Sequence, residues 1–124
     1  MEMWKNVFEQ VLPKILKVIC EYPRSDADEV LRNSCKKFDV DLDHIEIDNL
    51  TEEQCRKVVL VSYYDILACL DTALDFEDEL NCDAYRNVMI TFNMCFADNG
   101  LTQYTRPALD INEYKVVINK YELF

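Results

Sequence analysis

One glycine and three prolines in 124 residues are the first constraint on this chain. So few turn residues leave little room for tight hairpins or positive-φ loops, which excludes a fold of many short strands. The same scarcity excludes a P-loop and the dinucleotide-binding fingerprint, both of which need several glycines to bring backbone against phosphate. A single histidine, His44 in "LDHIE", leaves no partner for a His-based zinc site and no evident Cys-His or Ser-His pair. Long uncharged apolar runs are also missing. The opening "MEMWKNVFEQVLPKILKVICEYP" carries Glu2, Lys5, Glu9, Lys14 and Lys17, so it reads as neither a signal peptide nor a membrane span. The expectation is a cytoplasmic protein that is not an enzyme and carries no cofactor.

What is present points to helices. Half of the residues are apolar and 30% are charged, the balance of a folded chain. The length suits one domain over 1–124 that buries roughly two thirds of its unfolded surface. Trp4, Val7, Phe8, Val11, Leu12, Ile15, Val18 and Ile19 recur at three and four, predicting a first helix over about 2–21 with a kink or break at Pro13. Ser25 offers an N-cap to a second helix running to about Phe38 and burying Ala27, Val30, Leu31 and Phe38; Asp26, Asp28 and Glu29 suit its positive end.

Thr51 and Gln54 resemble a capping box ahead of Cys55, Val58, Val59, Ser62, Tyr63, Ile66, Leu67, Leu70, Ala73 and Leu74. Leu60, Val61 and Tyr64 widen that stripe beyond one face, which predicts a central helix over about 51–75 contacted from several sides. Asn81 or Asp83 caps a fourth helix carrying Tyr85, Val88, Met89, Phe92, Cys95 and Phe96, stopped by "DNG" at 98–100. "DINEYKVVINKYELF" reads as a last helix over 110–124 or, on its β-branched "YKVVI", as a terminal strand. The expected fold is therefore all-α, a compact bundle of about five helices around the one at 51–75.

Six cysteines at 20, 35, 55, 69, 82 and 95 raise the alternative of a disulfide framework. Their separations contain no close pair, and the expectation is reduced, mostly buried thiols acting as small hydrophobes.

The stretch "DVDLDHIEIDNL" begins like a calcium loop, with Asp39, Asp41 and Asp43 at loop positions one, three and five. It then departs from that pattern. His44 stands where the sharp turn needs glycine, and Leu50 stands where a bidentate Glu would supply two oxygens. The alternation of Val40, Leu42, Ile45 and Ile47 with acids allows a short strand able to pair with a partner's sheet edge, but the favoured expectation is a metal-free linker whose apolar residues tuck onto the bundle while Asp39, Asp41, Asp43, Glu46 and Asp48 face water and add to a negative surface.

The formal net charge of -11 is concentrated. Residues 1–37 hold seven Lys/Arg against six acids, residues 86–124 four against four, and residues 38–85 fourteen acids against Arg56 and Lys57 alone. Within that block Asp71, Asp75, Glu77, Asp78, Glu79 and Asp83 crowd into thirteen positions. Such a block repels nucleic-acid phosphates and steers cationic proteins. The leading expectation is an inhibitor or immunity protein, antitoxin-like, whose acids cover the basic surface of a nuclease or other nucleic-acid-binding partner. The second is a viral or host-directed helical interaction module that takes a partner helix in an apolar groove beside the central helix, using Tyr63, Tyr64 and Phe76. The third is a homodimer joined through apolar surfaces.

Overall fold

Helical periodicity is realised in four α-helices among the described residues: α1 (Met3–Glu21), α2 (Ala27–Lys36), α3 (Glu52–Asp75) and α4 (Glu79–Asp98). Single 3-10 turns at Ile47–Asn49 and Thr102–Tyr104 complete them. A computed structural model describes residues 3–21 and 27–105, without the side chains at 20, 21, 27, 28 and 30. The expected cap at Ser25 and the expected last element over 110–124 lie outside the described residues.

The break expected at Pro13 does not occur: α1 is one helix with Pro13 inside it. Pro13 and Glu9, the residue whose carbonyl loses its helical donor, are both exposed, so water can take the freed bond. The inner face of α1, from Trp4 through Val7, Phe8, Val11 and Ile15 to Val18 and Ile19, is buried as its spacing predicts.

α3 packs against α1, α2 and α4, and thirteen of its side chains are buried. That requires apolar residues around most of its circumference, as the widened stripe implied. Glu52 orients α1 beside it: its carboxylate accepts the Trp4 and Lys5 amides at 3.0 and 3.1 Å, satisfying donors of α1's first turn with a side chain 47 and 48 residues away. α1 and α3 thus start at the same end of the molecule. α4 runs the other way, with Cys95 near its end donating to Gln10 at 3.2 Å.

Where the three helices meet, Tyr63 stacks edge-on with Tyr64, Phe92 and Phe96 at centroid distances of 5.1 to 5.3 Å. Its hydroxyl donates to Asn93 Oδ1 at 3.0 Å, satisfying the polar end that burial would otherwise strand. Tyr104 closes the cluster against Trp4 and Phe96.

α2, α3 and α4 end alike. In each, an amide reaches back five residues, Val40 to Cys35, Asp78 to Ala73 and Leu101 to Phe96, at 3.0, 2.9 and 2.7 Å. The residue before each of these donors has positive φ: Asp39 at 60°, Glu77 at 53° and Gly100 at 69°. These are Schellman ends, whose left-handed position favours glycine. With one glycine available, two of the three ends use an acid.

Candidate functional site

The connector is not strand-like; no strand occurs among the described residues. Asp39 terminates α2, and Asp41 Oδ1 accepts the Asp43 amide at 3.0 Å in an Asx turn. The 3-10 turn at Ile47–Asn49 follows. Val40 and Leu42 are buried and Ile45, Ile47 and Leu50 half-buried, which anchors the segment irregularly, without a sheet. Gln54 fixes its start. The Gln54 amide donates to the Phe38 carbonyl at 3.0 Å, while the same side chain completes the predicted capping box with Thr51. Asp39, Asp41, Asp43, Glu46 and Asp48 are all exposed, and Asp43 pairs with Arg32 at 3.3 Å.

The second acidic group lies at the α3–α4 turn. α3 extends through Asp75, and Asp78 is both the last donor of its Schellman end and the N-cap of α4, accepting the Asn81 amide at 3.3 Å. The fourth helix therefore begins at Glu79, ahead of the caps expected at Asn81 or Asp83. Asp75, Glu77, Glu79 and Asp83 are exposed and Asp71 and Asp78 half-buried. Arg86 approaches Asp83 at 3.8 Å, a long and exposed contact. Among the described residues, no cation lies within ion-pair distance of Asp75, Glu77 or Glu79. Phe76 is 80% exposed and Leu80 67%, so this negative turn also carries apolar surface.

The two acidic groups do not merge into one surface. They lie toward opposite ends of α3, a helix about 36 Å long at 1.5 Å per residue. Sequence proximity hid this, because most of the intervening residues form one long helix.

Other acids of the block have structural duties. Glu52 caps α1, and Arg56 bridges both Glu53 oxygens at 2.6 and 2.9 Å. Those hydrogen bonds hold the Glu53 carboxyl below its ordinary pKa against a small opposing effect of burial.

Tyr63 and Tyr64, expected to line a groove, are fully buried in the aromatic cluster. Only Phe76 of that expected set faces outward. A different apolar row went unrecognised: Ile90 and Met94 on α4 are 55% and 61% exposed. Their i, i+4 spacing was the available signal, masked by the stronger inner stripe of the same helix.

A cleft of about 320 Å³ between α1 and α4 is lined by Lys14, Lys17, Val18, Ala84, Asn87, Val88 and Thr91. Its described lining holds two lysine amines and the Thr91 hydroxyl, with no carboxylate, thiol or imidazole beside them. No three His, Cys, Asp or Glu converge as metal ligands among the described residues. The five described cysteines are buried and form no disulfide, and no described helix is long and apolar enough to cross a membrane.

Compared with known proteins, the chain matches no family model, no curated protein and no solved structure.

Proposed function

We propose that this chain is a non-enzymatic binding protein, held in the cytoplasm, whose acidic α3–α4 turn covers the basic surface of a nuclease or other nucleic-acid-binding protein, in the manner of an inhibitor, immunity protein or antitoxin. The observation that carries this reading is the group Asp75, Glu77 and Glu79, exposed together and without an ion-pair partner among the described residues. Carboxylates so placed can occupy positions that phosphates would take on a cationic protein, and their field accelerates encounter. Asp71, Asp78 and Asp83 add to the same end. The connector acids, on the far side of α3, form a separate second contact in this reading. In this reading the bundle numbers about five helices around α3.

The test is capture of partners from the native source under low- and high-salt washes, followed by kinetics on the captured protein. A basic nucleic-acid-binding protein released by high salt is the expected result. Asp75→Asn, Glu77→Gln and Glu79→Gln together should slow its association about tenfold or more at low salt. An unchanged association rate would sink the assignment.

A further inference from the structure

The outward face of α4 carries an apolar row that folding does not use. Residues 80, 83, 87, 90, 94 and 97 follow one another at three and four, so they share the side of the helix opposite its buried stripe. Leu80, Ile90 and Met94 on that face are 67%, 55% and 61% exposed. Isolated exposed apolar residues are ordinary on a protein surface, but Ile90 and Met94 adjoin one turn apart, and Leu80 lies on the same side about 15 Å away at the acidic turn, with Asp83 and Asn87 between. From Leu80 to Met94 the row is about 21 Å long, or four helical turns.

Its charge surroundings select the occupant. Asp75, Glu77, Glu79 and Asp83 lie at the N-terminal end of the row, and Asp98 follows its other end. Among the described residues, the cations nearby are Arg86, which faces Asp83, and Lys14 and Lys17, which line the cleft beside Asn87 and Thr91. A second copy of the chain would bring another net charge of -11 against this one. A helical partner packs its side-chain ridges into the rows of α4, and a cationic one gains from the acids at the turn.

We infer that the outward face of α4 docks a basic amphipathic helix of a partner protein, with apolar residues on Leu80, Ile90 and Met94 and Lys/Arg residues over the acidic α3–α4 turn. This rests on the acidic-surface reading above and adds an apolar anchor to it.

The experiment titrates the full chain with three synthetic peptides of about 18 residues, long enough to span the row. One is a Leu/Lys amphipathic helix, the second a permutation of the same residues that scatters the leucines, and the third the amphipathic peptide with Glu for Lys. Fluorescence anisotropy is read at roughly 0.05 and 0.5 M NaCl. The amphipathic cationic peptide should bind about tenfold tighter than its permutation, a difference of about 1.4 kcal/mol. The Ile90→Ser/Met94→Ser variant, replacing exposed side chains and checked for unchanged circular dichroism, should lose that advantage.

Equal binding of the two cationic peptides, with the variant silent, would overturn the docking face while leaving the acidic reading intact. Failure of either cationic peptide to outbind the anionic one at low salt would overturn the acidic reading and the inferred occupant with it. A dimer of the free chain in sedimentation, dissolved by Ile90→Ser/Met94→Ser, would assign the face to a second copy and overturn the proposal.

Discussion

Ser62 sits fully buried on α3, and its hydroxyl has no hydrogen-bond partner among the described residues. A buried hydroxyl left unbonded costs about 1 to 3 kcal/mol, so Ser62→Ala should raise the unfolding free energy by about 1 kcal/mol in urea titrations. A loss of stability would mean that the hydroxyl is bonded after all. The thiols give a pH prediction at the same scale. Burial, with a smaller contribution from Asp65, pushes the Cys35 thiol up to about 12. Burial and then Glu52 push Cys55 up to about 11, with Lys5 opposing. Burial, then Asp98, raises Cys95. A folded pKa above the ordinary 9.0 means that the unfolded chain loses these protons first as pH rises. Their contribution to stability is complete below pH 9.0 and disappears on the way to 11 and 12. Unfolding free energy should therefore fall from about pH 9 upward, and Cys35→Ala/Cys55→Ala should flatten that slope whatever its effect at neutral pH.

At the scale of the element, the helix ends carry the cost of scarce glycine. Asp39 and Glu77 hold the left-handed position that glycine adopts freely, and each places a negative charge at the negative end of a helix dipole. Asp39→Gly and Glu77→Gly should each raise stability by a few tenths to about 1 kcal/mol, after subtracting the greater freedom of glycine in the unfolded chain. Thermal melts of the two single variants would test this, and a lowered Tm in both would show that the carboxylates make compensating contacts. Gly100, by contrast, follows the usual pattern and was recognisable from "DNG".

For the whole molecule, the relevant quantity is self-repulsion. Among the described residues, the acids at both ends of α3 face few cations, so screening should stabilise the fold: Tm should rise as NaCl increases from roughly 0.02 to 0.2 M. The Asp75→Asn/Glu77→Gln/Glu79→Gln variant should show a smaller rise, since the turn contributes much of that repulsion. A Tm insensitive to salt over this range in the wild type would show that the acids are already compensated. This measurement uses the same variant as the binding kinetics, so reduced repulsion and lost steering can be read from one protein.

The sequence by itself determined the helical class, the spans of α1 and α3, the capping box at Thr51 and the location of the charge excess, because each is a local property of spacing or composition. Helical spacing also identified the inner face of α4. Only the tertiary structure decided which surfaces remained open. It buried Tyr63 and Tyr64 because three helices converge on them, left Ile90 and Met94 outside because α4 had already committed its other face, and assigned Glu52 to α1 across 47 residues. It also placed the two acidic groups of one continuous block toward opposite ends of α3, since proximity in sequence becomes distance in space wherever a long helix intervenes.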